Sequence, residues 1–85
     1  MPRALSITQT KVKPDDRADF RFRAMRARVH YASAGCHYWV FESDADAGSF
    51  VEFVEAPDGE TLRLARRLAP GASNDAPTYT EIPLT

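Results

Sequence analysis

The stretch CHYWVFESDADAGSFVEFVE, residues 36–55, decides the fold of this chain. Its first part, Cys36 to Ser43, is aromatic and β-branched without helical spacing, which predicts a strand that is apolar on both faces. Residues 44–48 have the length and composition of a hairpin loop. Ser49 to Glu55 then returns to strand composition. We therefore predict two antiparallel strands joined by a short acidic turn.

A strand and a helix are predicted before this hairpin. Ala4 to Lys13 is rich in β-branched residues, which favours a strand. In the segment from Asp15 to Ala34, apolar residues recur at steps of four and three, which is typical of a buried helix face. Pro14 suits the start of that helix and Gly35 suits its left-handed end. The residues predicted to be buried are Ala18, Phe22, Met25, Val29 and Ala32.

The same helix carries a second, narrower apolar stripe on its opposite side. We predict that this stripe contacts the C-terminal tail or a neighbouring subunit. Its members are Phe20, Ala24, Ala27 and Tyr31.

A helix and a strand are predicted after the hairpin. Asp58 can cap a helix that runs to Ala69, the residues from Gly71 to Pro77 have loop composition, and Thr78 to Leu84 alternates enough for an edge strand. The element order is then βαββαβ, which predicts an α+β, ferredoxin-like fold. In this fold a four-stranded antiparallel sheet carries both helices on one face.

Length and composition exclude several classes of protein. With 85 residues, 44% of them hydrophobic, we expect one domain over residues 1–85. The net charge of -1 argues against a nucleic-acid partner. No apolar run is long enough for a membrane helix, so we expect no membrane partner and a soluble, cytoplasmic protein. One cysteine excludes an internal disulfide, and no metal-ligand spacing is present.

The sheet face without helices is predicted to be aromatic, and an apolar face of this size needs a cover. We expect an identical copy to cover it, which makes a homodimer. Charge agrees with this expectation, because residues 1–41 carry a net +5 and residues 42–85 a net -6. The alternative is that each of these oppositely charged faces is simply solvated and does not pair with a second copy.

The segment from Gly35 to Leu62, GCHYWVFESDADAGSFVEFVEAPDGETL, resembles the antibiotic biosynthesis monooxygenase family. The resemblance implies a homodimeric α+β barrel, and such families include cofactor-independent oxygenases that act on phenolic polycyclic substrates as well as haem-degrading enzymes. This chain has Glu55-Ala56-Pro57 where the family often has a tryptophan soon after the glutamate. The second helix contains no histidine, so haem degradation is disfavoured. We therefore expect no cofactor.

The hairpin also supplies the candidate site. If Glu42 lies opposite Ser49, then one face of the two strands collects a histidine, a glutamate and several aromatic rings, which is the make-up of a small-ligand site. We predict His37 as the base that removes a phenolic proton. Glu52 would orient the imidazole, and the rings would hold a small aromatic substrate. A slip of one residue would replace Glu52 by Glu55 on this face. The predicted substrate-binding residues are Trp39, Phe41, Phe50 and Glu52.

Two functions remain open at this point: a small cofactor-independent oxygenase acting on an aromatic or phenolic substrate, and a non-catalytic homodimeric ligand-binding or interaction module. Cys36 is predicted to be a small buried residue, because neighbouring strand residues such as His37 point to the opposite side. His30 is expected on a solvated flank of the first helix. The five arginines from Arg17 to Arg28 divide between two flanks, so they predict no single anion-binding stripe.

Overall fold

The computed structural model describes residues 2–69 and 76–84, and it contains the predicted elements in the predicted order. One turn of 3-10 helix, Pro14–Asp16, leads into the first helix. The predicted loop 71–77 lies outside the described residues except for its last two positions. The last strand ends at Thr80 rather than at Leu84. The elements are β1 (Ala4–Lys11), α1 (Arg17–Ser33), β2 (His37–Glu42), β3 (Ser49–Ala56), α2 (Gly59–Leu68) and β4 (Thr78–Thr80).

The four strands form one antiparallel sheet in the order β2-β3-β1-β4. α1 packs over β2, and α2 packs over β1 and β3, so both helices cover the same face. This is the predicted ferredoxin-like α+β arrangement, and the prediction of the fold is confirmed. The opposite face, which we call the open face, carries no helix among the described residues.

The helix ends follow the chemistry that their residues predict. The Asp58 carboxylate accepts a hydrogen bond of 2.8 Å from the Thr61 amide and so caps α2. This bond holds the pKa of Asp58 below its ordinary value. At the end of α1, Gly35 has φ +80°, the left-handed conformation that glycine adopts without steric cost.

The pairing of β2 with β3 differs by one residue from the prediction. Glu42 lies opposite Phe50, not Ser49, because Ser43 belongs to the turn. The Ser43 hydroxyl accepts hydrogen bonds of 3.2 Å from the amides of Ala45 and Asp46, and such a local bond competes with strand pairing. The prediction of the register was therefore wrong. Each side chain of β3 lies on the opposite face of the sheet from the one predicted.

The buried face of α1 is also the reverse of the predicted one. Phe20 is 6% exposed and Tyr31 is 5% exposed, whereas Phe22 is 63% exposed. The two stripes have the same helical spacing, so spacing cannot choose between them. The sheet decides which stripe of α1 is buried, because its helix-covered face presents aromatic rings. Phe20 packs against Phe50 with tilted rings whose centroids are 4.5 Å apart, and Tyr31 stacks on Tyr38 at 5.6 Å. All five residues predicted to be buried are exposed: Ala18, Phe22, Met25, Val29 and Ala32.

The main core lies between the sheet and the two helices. Leu62 and Ala65 of α2 are almost fully buried against the small side chains Ala4 and Ala56. Small residues in β1 and β3 let the helix approach the sheet closely. Tyr31, Cys36 and Val54 extend the same cluster toward α1. Because each of these residues is apolar or phenolic, the core holds the helices by burial and stacking rather than by ion pairs.

Candidate functional site

The structure divides the predicted site residues between the two faces of the sheet. Alternation along β2 places His37, Trp39 and Phe41 on the open face. Phe50 packs against Phe20 of α1 and therefore lies on the helix-covered face. Glu52 lies two residues further along β3 and shares that face. The register slip thus separates Glu52 from His37.

Glu55 takes the place beside His37 that was predicted for Glu52. The two residues lie directly opposite each other in the β2–β3 pair, so their side chains share the open face. Arg3 donates a hydrogen bond of 3.2 Å from Nη1 to Oε2 of Glu55, and its Nη2 bonds Oε2 of Glu81 at 2.8 Å. The arginine therefore holds the Glu55 carboxylate at the edge of the open face.

A hollow of about 430 Å³ lies beside His37. Volumes of several hundred Å³ are typical of small-molecule sites. The titratable side chains that line it are His37, Glu55 and Arg3, and they include a base, a carboxylate and a permanent cation. This combination can accept a proton from a ligand and stabilise a negative charge on it. The rest of the lining is Gly35, Ala56 and Pro57.

The open face next to this hollow is aromatic. The imidazole of His37 stacks on the indole of Trp39 with centroids 5.7 Å apart and an angle of 14° between the rings. Phe41 meets Phe53 edge to face, also at 5.7 Å. Trp39 is 44% exposed and Phe41 is 58% exposed. Because side chains of this size rarely stay exposed together, the face is suited to a flat ligand or a protein partner.

A second polar group lies under α1, on the helix-covered face. The Tyr38 hydroxyl donates to Oε1 of Glu52 at 2.6 Å, and the Thr10 hydroxyl donates to Oε2 at 3.1 Å. Both carboxylate oxygens of this half-buried side chain therefore have a hydrogen-bond donor. Burial and the bond to Glu52 raise the pKa of Tyr38 far above its ordinary value. Tyr38 remains a proton donor at any physiological pH.

Sequence reasoning missed this group because its members are far apart in the chain. Tyr38 was placed on the helix-covered face, which the structure confirms, but without a polar partner. Thr10 lies on β1, whose pairing with β3 no local pattern discloses. The only available signal was the alternation of glutamates in SFVEFVE, residues 49–55, which puts either Glu52 or Glu55 on a given face.

Two further predictions have clear outcomes. Cys36 is 4% exposed, as predicted, and burial raises the pKa of its thiol, so the thiolate form is disfavoured. The prediction of a solvated His30 was wrong. Its Nε2 lies 2.8 Å from the Ala65 carbonyl oxygen, and a hydrogen bond there joins α1 to α2. Both residues serve the core, and neither reaches the hollow beside His37.

Within residues 2–69 and 76–84, no group of histidine, cysteine and acidic side chains is arranged to hold a metal ion. Neither described helix is long and apolar enough to cross a membrane.

Comparison with known proteins identifies the fold. No protein-family model matches the chain, and no curated protein matches it. Among solved structures, the chain is similar to the structure of Rv0793 from Mycobacterium tuberculosis, with a TM-score of 0.64 and 18% sequence identity. The likeness covers 100% of this chain and 97% of that chain. At this level of identity the similarity shows the ferredoxin-like fold alone.

Proposed function

We propose that two copies of this chain pack with their open faces together and form a dimeric α+β barrel. The open face supports this proposal because neighbouring strands fill it with large apolar side chains. A patch of this kind is rare on a monomer and common at an interface between copies. Packing of the two sheets also puts the helices on the outside, where their charged residues stay in water. The apolar residues of the face are Leu5, Ile7, Trp39, Phe41, Val51 and Phe53.

Within this dimer, we propose that the protein is a small cofactor-independent oxygenase of a phenolic aromatic substrate. This is the activity that the resemblance to the antibiotic biosynthesis monooxygenase family implies. The observation that carries the proposal is the hollow of about 430 Å³ beside His37, in which a histidine, Glu55 and Arg3 meet. The indole of Trp39, which stacks on the His37 ring, would supply a surface for a flat substrate.

In the proposed reaction, His37 removes the phenolic proton of a substrate such as anthrone in its enol form. The electron-rich anion reduces dioxygen directly, because electron release from a phenolate is easier than from a phenol. One oxygen atom enters the ring CH₂ position as a carbonyl, and the other leaves as water with the two hydrogens of that position. Glu55 stabilises the imidazolium that His37 becomes, and Arg3 keeps the Glu55 carboxylate in place.

A non-catalytic homodimeric module is the second candidate. Trp39 already stacks on His37, and Phe41 already contacts Phe53, so a partner sheet can fill the whole open face with side chains. In that case the aromatic residues serve assembly, and the hollow beside His37 closes when the dimer forms. The two candidates differ in oxygen consumption and share the same oligomeric state.

Light scattering tests the dimer. We expect a particle of twice the 9.5 kDa mass of one chain at micromolar concentration. Phe41→Asp, which places a charge among the aromatic rings of the open face, should return the mass to that of one chain. Phe22→Asp is the matched control, because Phe22 is equally exposed but lies on α1. A stably folded wild-type protein with the mass of one chain contradicts the dimer.

Oxygen uptake tests the activity. With anthrone as substrate, we expect wild-type uptake above the uncatalysed rate and a loss of about 100-fold for His37→Ala, the usual contribution of a general base. His30→Gln is the control, because this histidine bonds the Ala65 carbonyl and does not line the hollow. Equal rates for wild type and His37→Ala contradict a catalytic His37. A dimer without uptake favours the non-catalytic module.

A further inference from the structure

The side of α1 that faces away from the sheet carries three large apolar side chains in contact with water. Phe22 is 63% exposed, Met25 is 51% exposed and Val29 is 67% exposed. Ala18 and Ala32 lie at the two ends of the same stripe and are exposed as well. We call these five residues the outer stripe. Packing of two open faces would leave it uncovered, because α1 lies on the other side of the sheet.

The spacing of the outer stripe is that of a coiled-coil seam. Its members follow one another at steps of four, three, four and three residues, so Phe22 and Val29 take position a of a heptad and the other three take position d. At 100° per residue these positions cover about 80° of the helix circumference, which is narrower than the apolar face of a helix that packs on a broad surface. A second helix is the partner that fits so narrow a stripe.

Arginines border the outer stripe on both sides. Arg21 and Arg28 take position g and Arg26 takes position e, and the other e positions are Asp19 and Ser33. All five side chains are exposed. None of the three arginines forms an ion pair with another described residue. The surface beside the stripe is therefore basic.

The other two arginines of α1 have partners in the fold. Arg17 bonds Glu42, and its guanidinium lies 5.4 Å from the centre of the Phe50 ring. The Arg23 guanidinium lies 5.7 Å from the centre of the Phe20 ring. The fold therefore accounts for these two charges but not for the three beside the outer stripe.

A second copy of α1 does not fit the outer stripe. The e and g positions of two coiled helices lie next to each other across the seam. In a parallel pair, Arg21 would face Arg26 of the second copy. In an antiparallel pair, g positions face g positions, so Arg21 and Arg28 would face each other. Like charges at such short distances disfavour association, so the occupant is a helix of different sequence.

We propose that the outer stripe docks an amphipathic helix of another protein, one that has apolar side chains at heptad spacing and acidic side chains beside them. The three large side chains of the stripe pack between the apolar side chains of that helix, and the three bordering arginines pair with its carboxylates. The docking is independent of the proposed oxygenase activity and of the proposed dimer, because the stripe faces away from the sheet.

Titration of the full chain with two synthetic peptides, followed by the amide signals in NMR spectra, tests the proposal. Both peptides contain three heptads with isoleucine at a and leucine at d, and they carry glutamate or lysine at e and g. We expect saturable shifts along α1 with the glutamate peptide and no saturable shift with the lysine peptide. Equal shifts with both peptides, or no saturable shift with either, overturn the proposal.

A pair of serine substitutions tests the apolar part of the stripe. Phe22→Ser/Val29→Ser should weaken the Kd of the glutamate peptide by about tenfold or more, because two apolar side chains are no longer buried against the peptide. Leu64→Ser/Leu68→Ser is the matched control, since these two leucines are exposed on α2. This control should change the Kd by less than about twofold. Equal weakening in the two pairs contradicts docking on the outer stripe.

A pair of glutamine substitutions tests the charges. Arg21→Gln/Arg28→Gln should weaken the Kd of the glutamate peptide by about fivefold or more, because the carboxylates of the peptide lose their partners. Arg63→Gln/Arg67→Gln removes the same charge from exposed positions of α2 and should change the Kd by less than about twofold. Equal weakening in the two pairs means a general effect of charge and overturns the proposal.

Vesicles of phosphatidylcholine and phosphatidylglycerol separate a partner helix from a membrane surface. A helix with arginines beside an apolar stripe can also bind anionic lipid, but such helices bury a wider apolar face than the outer stripe offers. We therefore expect the chain to stay in the supernatant when the vesicles are sedimented. Sedimentation with the vesicles, in the absence of binding to the glutamate peptide, overturns the proposal in favour of a membrane surface.

Discussion

Tyr38 and Glu52, fourteen residues apart in the chain, are joined by a hydrogen bond of 2.6 Å from the Tyr38 hydroxyl to Oε1 of Glu52. The bond lies on the helix-covered face, where Tyr31 stacks on the Tyr38 ring. A glutamate in this half-buried place needs donors for both oxygens, and Thr10 supplies the second. The three side chains therefore connect β1, β2 and β3 under α1.

Removal of the Tyr38 hydroxyl should lower the free energy of unfolding. We expect Tyr38→Phe to cost about 1–3 kcal/mol, because a half-buried carboxylate oxygen loses its donor. Tyr79→Phe should cost close to nothing, since the Tyr79 hydroxyl bonds no described residue. Urea unfolding measures both. A double-mutant cycle with Glu52→Gln gives the coupling, and additive effects of the two substitutions contradict a direct bond.

Alkaline pH should destabilise the protein through its buried phenols. Burial raises the pKa of both Tyr31 and Tyr38 above the ordinary value of 10.0, and the bond to Glu52 raises that of Tyr38 further. A folded-state pKa above the unfolded one stabilises the fold fully below pH 10 and progressively less as the pH rises above it. The urea concentration at the unfolding midpoint should decrease as the pH is raised from 9 to 11.5. In Tyr38→Phe this decrease should be roughly half that of the wild type. Equal falls in both proteins contradict the role of Tyr38.

Acid pH should act through Glu42. Two hydrogen bonds from the Arg17 guanidinium, of 2.6 and 3.0 Å, together with one from the Gly48 amide, lower the pKa of Glu42 to about 2. A depressed folded-state pKa stabilises the fold above pH 4.5, and this contribution is lost as the pH falls toward 2.

Arg17→Gln should therefore move the pKa of Glu42 back toward 4.5. Carbon-13 NMR of the carboxyl groups measures this change. Glu81 is the control in the same spectra, because its pKa is lowered to about 2 by Arg3 and not by Arg17. A Glu42 signal that titrates at the same pH in both proteins contradicts the pairing with Arg17.

Two glycines with positive φ should respond differently to alanine. At Gly35, with φ +80°, an added Cβ meets no atom within 4 Å, so Gly35→Ala should cost only about 1 kcal/mol of backbone strain. At Gly48, with φ +88°, the Cβ would lie 2.6 Å from the Val12 carbonyl oxygen. That oxygen belongs to backbone held by a bond from the Val12 amide to the Gly48 carbonyl. Gly48→Ala should therefore cost about 2–4 kcal/mol, the sum of strain and displacement. Equal unfolding midpoints contradict this difference.

Much of the fold follows from local chemistry that the sequence displays. Pro14 and Gly35 delimit α1, Asp58 caps α2, and the acidic turn separates two aromatic strands. Each of these effects acts within a few residues, so a single sequence is enough to locate it. The element order then leads to the ferredoxin-like fold through the general preference for short connections and packed layers.

The candidate site was predictable only in part. His37 and Trp39 are two residues apart on one strand, and alternation alone places them on one face. Which glutamate shares this face depends on a shift of one residue in the β2–β3 register. The Ser43 hydroxyl sets this register, because it accepts hydrogen bonds from amides of the turn. The sequence allowed Glu52 or Glu55, and the turn geometry selected Glu55.

By itself, the sequence determined the helices and strands, their order, the chemistry of their ends and the aromatic character of β2. Only the tertiary structure decided that α1 buries Phe20 and Tyr31 and leaves Phe22 exposed. It also decided that Arg63 and Arg67 meet Thr78 across a hollow. The reason is that local preferences depend on near neighbours in the chain, whereas the choice between two equal apolar stripes depends on the rings that a distant strand presents.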